Sequence, residues 1–261
     1  MLFPISDDDR RLSRPALVTW ALLAANVALF LVQMSDPEFT YAWSTVPYEI
    51  TTGQDIANNA PLDVSTESFS AQDIPQRPGP GPAPLVYLTL LTSMFMHGGL
   101  GHIGGNMLYL WIFGDNVEHR FGAVPFLAFY LVSGLVASFA QIALDPDGLV
   151  PSLGASGAIS GVLGAYLVLH PRNKVNAIFF FRVVSVPAFV VLGLYIVMQF
   201  VSGWGSFFAT EQTGGVAYAA HIGGFVAGVV MGLVLLARGR KEQPSVLTPA
   251  MRRDPRNKQL W

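Results

Sequence analysis

The chain has 261 residues, no cysteine and a net charge of -2, with only 12% charged and 52% hydrophobic residues. An ordinary soluble domain carries about 25% charged residues, and the mean hydropathy here is +0.46. These values exclude a disordered chain, a basic nucleic-acid-binding domain, a disulfide-stapled scaffold and any site built on cysteine ligands. They describe an integral, multi-pass membrane protein.

A spanning helix needs about 20 mostly apolar residues, and the chain offers six candidates. The first is Pro15–Met34, without a charge and with Pro15 at a helix start. Asp7, Asp8 and Asp9 spoil the basic leader of a secretory signal, so it reads as a retained span. The second is about His102–Asn116, after the apolar stretch Leu85–Met96. Ala123–Leu144, Ser156–His170, Val183–Ser202 and Val216–Ala237 follow, the fourth short and rich in small residues. The expected fold is an all-α membrane protein, a six-helix bundle whose short fourth helix carries the key serine.

Cations set the orientation. With six spans, 14 of the 15 Lys and Arg residues share a face with both termini, and only Arg77 lies opposite. That face is expected to be cytoplasmic. Together with the missing targeting signal, it points to a bacterial inner membrane. The chain divides into an N-terminal tail 1–14, a membrane domain 15–237 and a C-terminal tail 238–261, the tails polar and mobile. The domain includes a long external loop 35–84, with a Pro-Gly-rich stretch at Arg77–Pro84 that cannot be helical.

Polar groups inside spans are costly and mark function by default. Here they are His97, His102 and Asn106 around the second span, Ser156 and Ser160 in the fourth, and His221 in the sixth. The topology brings most of them to one depth, in the outer half. Ser156 lies between Gly154 and Gly157 where a loop meets a helix start. Such a serine has an approachable backbone and free N–H groups to hold an oxyanion. By itself the motif reads first as a packing face, since Gly157, Gly161 and Ala165 are spaced four apart. In the sixth span His221, Gly224, Gly228 and Gly232 share one small-residue face that would bring an imidazole towards Ser156. His102 and Asn106, spaced i, i+4, share a face, and both can donate to an oxyanion. The spacing also suits a metal, but Asp115 and Glu118 stand at the other end of that helix, so no metal is expected.

Four stretches together resemble the rhomboid family of intramembrane serine proteases. They are Met96–Asn106 (MHGGLGHIGGN), Val117–Gly122 (VEHRFG), Gly154–Gly157 (GASG) and Ala220–Gly224 (AHIGG) followed by Gly228. The resemblance covers about Pro15–Ala237. It implies a catalytic dyad of Ser156 and His221 without an acid, and an oxyanion hole of His102, Asn106 and the Ser156 backbone N–H. It implies a structural motif at Glu118 and Arg120, no cofactor, and transmembrane proteins as substrates within the lipid bilayer. Two positions depart from the family pattern. Ser160 stands where some members carry a Tyr against the histidine, leaving open what orients His221. The Trp-Arg pair of some members' first external loop is absent. A non-catalytic adaptor or chaperone for membrane spans and a small-molecule transporter are the alternatives.

Overall fold

The computed structural model describes residues 2–7, 15–53, 85–208 and 217–239. Six long helices fall at the six expected segments: α1 (Leu17–Ser35), α5 (Leu100–Phe121), α6 (Ala123–Leu144), α7 (Ser156–Leu169), α8 (Ala188–Phe208) and α9 (Tyr218–Ala237). Between α1 and α5 lie three short ones, α2 (Pro37–Ala42), α3 (Pro47–Thr52) and α4 (Leu85–Thr92), the last continued by a 3₁₀ turn over Ser93–Phe95. Among the described residues α1, α6 and α9 are long and apolar enough to cross a membrane.

The centre of the molecule is α7. Every residue from Gly157 to Tyr166 is buried, as expected of a helix apolar on all sides. It packs on α5, α6, α8 and α9, most closely on α9. Small residues permit this: the backbone carbonyls of Gly157 and Gly161 lie where side chains on Gly224 and Gly228 would stand. At 14 residues α7 is about 21 Å long, well under the roughly 30 Å of a hydrocarbon core.

The all-α expectation needs correction. The structure contains a three-stranded antiparallel sheet, β1 (Phe3–Ser6), β2 (Lys174–Phe179) and β3 (Arg182–Pro187), in the order β1-β2-β3. Its inner face buries Val175 and Ala177. Two sequence expectations give way to it. Val183–Pro187, read as the start of the fifth span, is strand β3, because β-branched residues pair well in a ladder, and helix begins only at Ala188. The N-terminal tail, read as polar and mobile, is ordered over residues 2–7. Phe3 pairs with Ile178, and the Asp7 carboxylate accepts hydrogen bonds from Tyr166 and, at 2.9 Å, from Asn116 Nδ2. Residues 8–14 and 240–261 lie outside the described residues.

Helix α5, at the expected second span, is longer than the His102–Asn116 core, running Leu100–Phe121. Its far end serves α1, which has no side-chain cap of its own. Buried Glu118 accepts hydrogen bonds from Val18 N–H at 3.0 Å, Thr19 N–H at 2.7 Å and the Thr19 hydroxyl at 2.8 Å. A carboxylate there satisfies orphan donors and opposes the positive end of the helix dipole. Arg120, half-buried in the last turn of α5, stands at that helix's negative end. The first part of the loop expected over 35–84 is folded. Asp36 caps α2, and Thr45 pairs with Ser152 and donates to the carbonyl of Thr89. Residues 54–84, with the Pro-Gly stretch, lie outside the described residues.

Candidate active site

The N-terminal end of α7 opens on a cavity of about 640 Å³. Its lining draws on α5 (His102, Asn106), the Pro151–Leu153 loop, α7 (Ser156), α8 (Tyr195, Gln199) and α9 (His221). The structure therefore brings Ser156, His221, His102 and Asn106 together from three helices.

Ser156 Oγ and His221 Nε2 are 2.8 Å apart. The other ring nitrogen, Nδ1, is 2.8 Å from Gln199 Oε1. An amide oxygen only accepts, so Nδ1 carries the proton and Nε2 is left to accept from the serine hydroxyl. That is the tautomer a general base requires. Sequence reasoning missed Gln199, although an amide in an otherwise apolar span is the same signal that singled out the histidines. It also missed Tyr195, one turn earlier on the same face of α8.

These residues answer the departure at Ser160. Its hydroxyl donates to the Ser156 carbonyl at 2.7 Å and pairs with Tyr195 OH at 2.7 Å. Fully buried and engaged on both sides, Ser160 does not line the cavity. The phenol near the site comes from α8 rather than from α7, and the contact orienting His221 comes from Gln199.

On the other wall, His102 Nδ1 accepts the Gly98 N–H at 3.3 Å, which leaves Nε2 to carry the donor proton. Gly154 makes room for it. A Cβ at Gly154 would stand 2.7 Å from His102 Nε2 and 3.6 Å from Ser156 Oγ, and the backbone there has φ +122°. Asn106 is buried beside the cavity, and its Nδ2 has no hydrogen-bond partner among the described residues. The first N–H groups of α7, starting with that of Ser156, have no intrahelical acceptor. Donors thus surround the space next to the serine oxygen, an arrangement suited to negative charge developing on a carbonyl. His97 is buried behind this wall with its ring 5.2 Å from that of His102, and Gln33 grips its backbone N–H and carbonyl, each at 3.1 Å. Glu118 and Arg120 lie at the far end of α5, away from the cavity. Gly157, Gly224 and Gly228 form the contact that holds α9, and with it His221, against α7.

Comparison with known proteins gives a match to the Rhomboid domain over residues 85–238. Rhomboid protein 1, mitochondrial, of Saccharomyces cerevisiae is 31% identical over 63% of this chain and 46% of its own length. Rhomboid protease GluP of Bacillus subtilis is 35% identical over 53% of this chain and 24% of its own. RHOMBOID-like protein 5 of Arabidopsis thaliana is 34% identical over 57% and 44%, respectively. The chain thus spans less than half the length of these relatives. The relatives support a membrane protein. They come from mitochondria as well as from a bacterium, so the expected bacterial inner membrane gains no support. Because the matched domain runs from α4 through α9 and takes in more than half of the residues, the chain belongs to the rhomboid family.

Proposed function

We propose that the chain is an intramembrane serine endopeptidase that cleaves transmembrane segments of other membrane proteins. The observation that carries this reading is the 2.8 Å contact of Ser156 Oγ with His221 Nε2 at the edge of a cavity lined by His102 and Asn106. Ser156 attacks the scissile carbonyl while His221 takes its proton at Nε2 and holds the other at Nδ1 against Gln199. His102 Nε2, Asn106 Nδ2 and the Ser156 N–H receive the oxyanion. His221 returns its proton to the leaving amine, and water, activated by the same imidazole, hydrolyses the acyl-enzyme. A helical substrate hides its carbonyls in its own hydrogen bonds, so Gly, Ala or Pro near the cleavage point favours the reaction by easing local unwinding.

The reading includes a topology. Residues 15–237 form a six-span membrane domain, α1 and α5 to α9, flanked by tails 1–14 and 238–261. Both termini and the sheet lie on the cation-rich cytoplasmic face, and Ser156 faces the opposite side. The test is a fluorophosphonate serine probe on the full chain in membranes, together with cleavage of a transmembrane reporter. Labelling of the parent, lost in Ser156→Ala, is expected alongside cleavage. Absence of both labelling and cleavage in the folded parent overturns the reading and favours an adaptor or a transporter.

A further inference from the structure

The hairpin β2–β3 ends in an unusual tip. Phe179 pairs with Arg182, leaving Phe180 and Phe181 as the two-residue turn. Such turns favour Asn-Gly or Gly because they need positive φ. Here Phe180 adopts φ +46° without that relief. Phe180 is 75% exposed and Phe181 104%. The apolar surface continues along the sheet. Phe3 pairs with Ile178 and Ile178 with Val183, so these three share a row on the outer face, and all are exposed. A bulky aromatic kept at a strained and exposed turn breaks a local rule, and such breaks concentrate where a surface has a task.

We infer that this hairpin is an interfacial anchor that inserts Phe180 and Phe181 into the adjacent lipid leaflet and prefers anionic headgroups. Charge supports a lipid partner: Arg172, Lys174 and Arg182 are exposed around the hairpin, and the sequence has no Asp or Glu from 148 to 210. Aromatic side chains favour the membrane interface, and nearby cations are drawn to anionic lipid. Continuity supports it too. Strand β3 runs directly into α8, whose exposed Phe189, Leu194, Val197 and Val201 extend the apolar surface beyond the sheet. The inference does not depend on the proposed proteolysis.

The full chain has no cysteine, so a single Phe181→Cys carries an environment-sensitive fluorophore without background. The protein is placed in phosphatidylcholine nanodiscs with or without phosphatidylglycerol. Emission is expected to shift to the blue and to be largely lost to lipids bearing a nitroxide high on the acyl chain, with little loss to aqueous iodide. Phosphatidylglycerol should increase the nitroxide effect, and R172Q/K174Q/R182Q should remove that increase. Val183→Cys gives the same readout from the sheet face should the tip variant fold poorly. Quenching by iodide with no response to the lipid nitroxide at either position overturns the inference, as it would if the tip served a protein partner.

Discussion

The two ends of α7 solve opposite problems. At the Ser156 end, donors border a cavity: the first N–H groups of the helix, which have no side-chain cap, the outward nitrogen of His102, and Asn106 Nδ2, which has no partner among the described residues. At the Leu169 end, several polar groups are paired with one another. Tyr166 donates to Asp7, Asn116 donates to the same carboxylate, and Asn173 Nδ2 donates to Tyr166 OH at 3.3 Å. Near this end Glu118 closes the start of α1. Unpaired buried donors are destabilising, so on the proposed reading one end of the fold keeps them for chemistry while the other end supplies order. The comparison predicts that substitutions at the serine end change turnover and leave the melting temperature, whereas those at the sheet end do the reverse.

The largest effect is expected from Ser156→Ala and His221→Ala. Each should reduce cleavage by about 10⁴-fold or more, since the members of such a unit fail together. Circular dichroism melting should match the parent, and Ser160→Ala should retain measurable activity. Substantial cleavage by purified Ser156→Ala would remove the dyad.

Asn106→Ala comes next. Loss of one oxyanion donor costs about a hundredfold in turnover, and water in the cavity softens this. The expected result is a lower kcat at similar KM, with a melting temperature close to the parent's. A raised KM at unchanged kcat would take Asn106 out of the oxyanion hole.

Gln199 acts through His221, so its loss should be milder. Gln199→Leu leaves the imidazole free to rotate and to adopt the other tautomer, lowering kcat by about tenfold. Gln199→Glu, which still accepts from Nδ1, should recover much of it. Equal activity of Gln199→Leu and the parent would sink this positioning role.

At the quiet end, Glu118→Ala strands the Val18 and Thr19 N–H groups. Stability should fall by about 3 kcal/mol, read as a lower melting temperature. Cleavage at a temperature where the variant remains folded should differ little from the parent. A variant that melts normally but has lost turnover would break the contrast between the two ends.

The serine end was the more legible of the two in the sequence, and the reason is physical. Ser156, His102, Asn106 and His221 are polar groups in apolar surroundings, and each is conspicuous in its own segment. Gln199, an amide like Asn106, lies in a run of bulky apolar residues, Ile196–Val201, without the glycines that mark the segments of Asn106, Ser156 and His221. The sheet end could not be read locally. Strand β1 has four residues and finds its partner about 170 positions away. The valines of β3 carry the same apolar signature as the span that follows them. Likewise the cap on α1 comes from a carboxylate 99 residues on, a contact that no window of sequence contains.

The shortness of α7 has a metrical consequence. Ser156 and Tyr166 stand ten residues apart on one rigid helix, about 15 Å along its axis. Tyr166 is fastened to the N-terminal strand through Asp7. On the proposed reading Ser156 is therefore held at a set height above that floor, and the helix works as a ruler. What it would measure on a substrate helix is depth in the bilayer rather than a run of letters, so two substrates of unlike sequence would become equivalent when their weak points lie at the same height.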